Sequence, residues 1–137
     1  MLTAHKVQTD IIALLAESEL CNGITGKVYR EGYRPRDSRL EDVVVIFVSG
    51  VPAQVESGAV TLNIYVPDIT PSNDGVNVED GRRTSAIEEL ASIWVKGLTA
   101  HRSNYKFTLL RTISTDYDEA IKQHFVVVQL EYEYKGK

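Results

Sequence analysis

With 137 residues, 43% hydrophobic and 25% charged, the sequence fits one globular domain over 1–137, big enough to bury roughly two-thirds of its unfolded surface, and lies outside the disordered class. A formal net charge of −4 argues against a general nucleic-acid binder, which needs a basic surface to displace counterions, and leaves only local basic patches for such contacts. The lone Cys21 excludes an internal disulfide or a multi-cysteine zinc site, and no run approaches the roughly 18 apolar residues of a membrane span.

Residues 2–20 read as a helix, since Val7, Ile11, Leu14 and Leu15 fall on one stripe while Lys6, Gln8, Asp10 and Glu17 lie mostly off it. The first residues lack the charged start and apolar middle of a secretion signal, so the expected setting is the cytoplasm. Asn22 and Gly23 are expected to end the helix, Gly23 as a left-handed cap, with Cys21 a core residue beside it. A short strand is expected over 24–29, followed by a polar loop over 30–42 whose Gly32 and Pro35 forbid a long regular element.

Residues 43–48 (VVVIFV) are apolar at odd and even positions alike. Side chains alternate across a sheet, so both faces of this strand need cover. That cover comes either from helices and the chain's own long loops or from a second subunit. Gly50 and Pro52 signal a turn, and 60–66 alternates Val60, Leu62, Ile64 and Val66 against Thr61, Asn63 and Tyr65, which predicts a hairpin. Residues 51–58 either extend it as a projecting arm or form a loose tip. After Pro67 comes a second long loop, acidic, over 68–81. The strongest helix signal is 84–98, with Ile87, Leu90, Ala91, Trp94, Val95 and Leu98 on one stripe, Thr84 or Ser85 with Glu88 as a capping box, and Gly97 weakening the last turn. Strands are expected over 105–113 and 125–134, joined by an acidic stretch. The expected fold is α+β: an antiparallel-rich mixed sheet of about four to five strands with two helices packed on one face.

Signals for chemistry are weak. No Gly-x-Ser-x-Gly turn is present, Cys21 has no nearby base in sequence, and His5, His101 and His124 lack metal-ligand spacing, so no catalytic, cofactor-binding or metal-binding residue is assigned. The 68–80 loop, with Asp74-Gly75 and Asp80-Gly81, invites a calcium reading but misses the EF-hand register and reads as a solvated turn. Arg30, Arg34, Arg36 and Arg39 lie near Tyr29 and Tyr33, a pattern that can hold phosphates or bases, but Glu31, Asp37, Glu41 and Asp42 are interspersed. A mixed-sign loop suits a protein surface better.

The order of a leading helix ending near Gly23, a strand GKVY at 26–29, a Pro-containing loop, the run EDVVVI at 41–46, its hairpin partner VTLNIYV at 60–66, the helix over 87–98 and a final strand of aromatic alternation resembles the tail-terminator, or tail-completion, proteins of long-tailed bacteriophages and prophages. The likeness is one of layout over most of the chain, which departs from the family pattern in the length of its 30–42 loop and in its acidic 68–81 loop. It implies a non-enzymatic virion subunit, assembled in the bacterial host cytoplasm, forming a homo-oligomeric ring, typically of six. Such a ring caps the tail tube, ends its polymerisation and meets the head-completion proteins. No cofactor, membrane or specific nucleic-acid partner is implied, although DNA passes through such a ring. A ring needs two complementary patches per subunit; the expected pair is Arg30, Arg34, Arg36 and Arg39 against Asp68, Asp74, Glu79 and Asp80. The alternatives are a small-ligand-binding or enzymatic α+β domain and a monomeric protein-binding adaptor.

Overall fold

The chain enters its first helix at Thr3, whose hydroxyl accepts the Lys6 N–H and caps α1 (Ala4–Ala16). This computed structural model describes residues 1–100 and 103–135. The helix expected over 2–20 is two helices: Ser18 leaves helical geometry, donates its hydroxyl to the Leu15 carbonyl at 2.6 Å and accepts the Cys21 N–H at 3.1 Å, capping α2 (Glu19–Asn22). Ser18 satisfies both broken ends at once, which makes the break cheap. Gly23 ends α2 at φ −90°, so it is no left-handed cap. Its small size serves packing instead, because a Cβ there would stand 2.6 Å from Leu90 Cδ1. Cys21 is half-buried rather than a core residue.

Six strands follow: β1 (Val28–Arg30), β2 (Val43–Val51), β3 (Glu56–Pro67), then, after α3 (Gly81–Ala100), β4 (Tyr105–Leu109), β5 (Ser114–Asp118) and β6 (Gln123–Tyr134). They form one mixed sheet in the order β1-β2-β3-β6-β4, with β5 on the same flank of β6 as β4. Only β1 and β2 run parallel. The acidic connection expected before the last strand is therefore itself a strand, β5, with Ser114 opposite Val127 and Asp118 opposite Gln123. Its polar residues hid it, since an edge strand has one face on the core and needs little hydrophobicity.

The alternation of β3 is realised in full: Val60, Leu62, Ile64 and Val66 are buried with Val43, Val45, Val126, Val128, Leu130 and Tyr132 against Val7, Ile11 and Leu15 of α1, Leu20 of α2, and Ile87, Ala91 and Trp94 of α3. All three helices thus cover one face. Helix α3 starts earlier than the capping-box reading, with Asp80 accepting the Arg83 N–H; Glu88 instead accepts the Thr115 hydroxyl of β5 at 2.6 Å.

The second face of β2 is closed unevenly. Val44 is buried, Ile46 is half-buried, and Val48 is 57% exposed. Moreover β2 is central only at its start. Strand β1 pairs with Val43, Val44 and Val45 alone, and β2 shifts register between Phe47 and Ser49 before running on to Val51. The region 51–58 is resolved in favour of a long hairpin: β3 pairs with β2 from Ser57 and with β6 from Glu56, leaving 52–55 as the tip.

Candidate interaction surfaces

The sheet has two chemically different ends. At one, where β2 begins and β3 finishes, the loop over 31–42 turns at Gly32 (φ +87°), a left-handed conformation suited to glycine, and folds back over the open face. Arg34 lies over the Tyr65 ring at 4.3 Å, donates Nε to Asp42 at 2.9 Å and Nη2 to Gln123 Oε1 at 2.9 Å and the Leu40 carbonyl at 3.1 Å. Its side chain is 9% exposed and that of Asp42 is 0%. Burial pushes the Asp42 carboxyl upward, but the Ser38 hydroxyl, the Lys27 N–H and the Arg34 guanidinium together outweigh it and hold the group below its ordinary value. Gly26 makes room for this carboxylate, since a Cβ there would meet Asp42 Oδ1 at 1.9 Å. The loop is a clasp across β2, β3 and β6.

A second clasp ties α3 to the same end. Arg83 grips Glu41 through Nε and Nη2, both at 2.7 Å, and Nη2 also donates to the Gly23 carbonyl at 2.9 Å. Burial lowers Arg83's affinity for its proton less than the Glu41 hydrogen bond, the largest influence, raises it. A third contact joins the 68–80 loop to β6, where His124 Nδ1 lies 2.7 Å from Asp68 and Nε2 lies 3.9 Å from Glu79.

These contacts place each residue expected at an interface. Arg34 and Asp68 are consumed inside the chain. Arg30 donates to the Thr9 hydroxyl on α1 at 2.7 Å, with its Nε buried and unpartnered. Glu79 accepts the Thr84 hydroxyl and Asp80 caps α3. Asp74 accepts the Val76 N–H within its own turn. Arg36 and Arg39 are exposed, beside Ala120 and Lys122 at the β5–β6 turn. The 31–42 loop leaves β1 beside Val45 and folds back to pack at the end of the sheet from which the 68–80 loop departs, so the two loops share one end. His5 offers its carbonyl to Arg30 at 3.5 Å, and His101 lies outside the described residues.

The other end is the β2–β3 hairpin. Residues 47–60 hold one charged side chain, Glu56, and its carboxylate is occupied by the Leu2 N–H at 2.9 and 3.1 Å. Gly50 and Gly58 let the hairpin close against Tyr132, whose hydroxyl would lie 2.8 and 2.6 Å from a Cβ at either position. Burial, then the Glu56 carboxylate, pushes the Tyr132 hydroxyl's pKa up, so it stays protonated. Val48, Val51 and Val55 are 57%, 61% and 42% exposed. Across the sheet, Leu109 and Leu110 are 37% and 50% exposed on the β4 flank. The sequence hinted at this second patch only through an apolar run ending in Gly and Pro, which reads equally as a buried strand and its turn.

On the helical side an open groove of ≈ 340 Å³ runs between α1–α2 and α3, lined by Leu14, Leu20, Leu90, Ile93, Trp94 and Leu98. Among the described residues, no group of three or more His, Cys, Asp or Glu side chains is placed to hold a metal ion, and no helix is long and apolar enough to cross a membrane. No family model matches the sequence, and comparison with curated proteins finds no match.

Proposed function

We propose that this chain is a non-enzymatic structural subunit of a long-tailed phage or prophage virion, of the tail-terminator type: it closes into a homo-oligomeric ring on the tail tube, ends tube polymerisation and presents its other face to the head-completion proteins. The observation that carries the reading is the polarity of the sheet along its strands. One end carries the 31–42 loop, with Glu31, Arg36, Asp37 and Arg39 exposed; the other carries the β2–β3 hairpin, whose residues 47–60 hold only the paired Glu56, level with the exposed Lys106, Glu131 and Glu133 of β4 and β6. A ring whose axis lies along the strands would present all the 31–42 loops on one rim and all the hairpins on the other, giving two different partners two different surfaces. A net charge of −4 suits a lumen through which DNA slides without sticking. The host cytoplasm would be the place of assembly and the virion the final location.

Electron microscopy of the purified protein, alone and mixed with tail tubes, tests this. Rings seated on tube ends support it; persistent monomers with no affinity for tubes overturn it. The groove beside Trp94 favours a second reading, a small-ligand-binding domain. Flanking capsid, portal or tube-protein genes would support the first, and a metabolic operon the second.

A further inference from the structure

We infer that neighbouring subunits join through their sheet edges, the outer edge of β2 over residues 47–51 on one copy receiving the outer edge of β4 from the next. The inference rests on the ring reading and names its joint.

Within the described residues neither edge has a neighbouring strand, although the Ser103 hydroxyl already bonds the Tyr105 N–H and carbonyl at the start of β4. Strand β1 stops pairing at Val45, and the last backbone bond on that side runs from Glu31 N–H to the Val45 carbonyl, so no strand lies beside β2 from Phe47 to Val51. On the opposite flank β4 pairs with β6 alone. An unpaired strand edge is a template for another strand, and proteins normally blunt it with charge, proline or a covering element. The β1 edge is blunted by its shortness and the β5 edge by Asp116 and Asp118; the β2 edge is interrupted by the register shift between Phe47 and Ser49 but carries no charge before Pro52, and the β4 edge carries only Lys106.

The two edges also match. Both lie at the hairpin end of the sheet, at one level across it: Gly58 of β3 lies opposite both Gly50 and Tyr132, and Tyr132 lies opposite Phe107. Each is flanked by exposed apolar side chains, Val48 and Val51 on one and Leu109 and Leu110 on the other. Strand polarity fits as well. Since β2, β3, β6 and β4 alternate in direction, β4 is antiparallel to β2, and a copy placed beside β2 in the same orientation adds an antiparallel strand. Because the edges lie on opposite flanks of one sheet, the contact is heterologous and propagates until it closes. It keeps every 31–42 loop on one rim and every hairpin on the other, as the ring reading requires.

The test uses two lysine-blocked variants, Val48→Lys with Val51→Lys for the β2 edge and Leu109→Lys with Leu110→Lys for the β4 edge. All four positions are surface positions, and circular dichroism checks the fold. Measured by native mass spectrometry beside wild type, each variant should fall from the wild-type oligomer to a single subunit. An equimolar mixture should then form a dimer of one of each and nothing larger, because each variant keeps one good edge. Variants that retain the wild-type mass, that dimerise alone, or that stay monomeric when mixed overturn the edge joint while leaving the ring reading intact. A monomeric wild type overturns both.

Discussion

Replacing Asp42 by alanine should be among the most damaging single changes in this protein. The carboxylate is fully buried and accepts from Arg34 Nε and the Lys27 N–H, both at 2.9 Å, and from the Ser38 hydroxyl at 2.5 Å. Its removal leaves the Arg34 guanidinium, itself 9% exposed, without a counter-charge, and strands two more donors. Breaking a buried pair in this way costs about 3–5 kcal/mol, and with so little exposure there is almost no solvent screening to reduce it. At about 2.1 cal/mol/K per residue the unfolding entropy of 137 residues is roughly 0.29 kcal/mol/K, so Tm should fall by about 10–17 °C. Calorimetry gives Tm, and urea titration gives the free energy independently. Replacing both partners, Arg34→Met with Asp42→Leu, should cost less than Asp42→Ala alone, since no unpaired charge remains. A loss under about 1 kcal/mol for Asp42→Ala would place this pair with exposed surface bridges and refute the clasp.

The same residue sets an acid limit. Because Asp42's folded pKa lies below its unfolded value, its contribution is fully present above the unfolded value of about 3.9 and is lost as pH falls through the folded one; Asp42→Asn should flatten that part of the stability–pH curve, read by urea melts at stepped pH. Gly58→Ala should destabilise the hairpin by about 1–3 kcal/mol, because the new Cβ would lie 2.2 Å from the Ser49 carbonyl; a neutral result by chemical denaturation would mean the hairpin closes differently. Gly97→Ala, inside α3 with nothing within 4 Å of the new methyl, should instead stabilise by about 0.5–1 kcal/mol in the same assay.

Periodicity carried the core. The 3.6-residue stripes of α1 and α3 and the strict alternation of β3 name most of the residues that the structure buries, because one-sided burial writes itself into side-chain order. Two kinds of feature stayed hidden. Ser18 breaks the first helix by satisfying backbone groups on both sides, a local hydrogen-bond choice that hydrophobic spacing does not encode. Strand β5 is polar because it sits at an edge. The charged loops raised a different difficulty: Arg34, Asp42, Glu41 and Arg83 look like surface residues in sequence, yet they pair across separations of 8 and 42 residues that only the tertiary fold brings together. The apolar run over 43–48 was legible as a strand needing cover. That its cover ends at Val45 on one edge and near Ile46 on the open face depends on the length of β1, which no pattern in the run specifies.

The most direct test of assembly through these edges is the mass distribution of the wild-type protein across a concentration series, by native mass spectrometry or mass photometry. The expected result is one closed species of fixed subunit number, with monomer at low concentration and no ladder of larger forms. A protein that remains a single subunit up to its solubility limit would contradict the account.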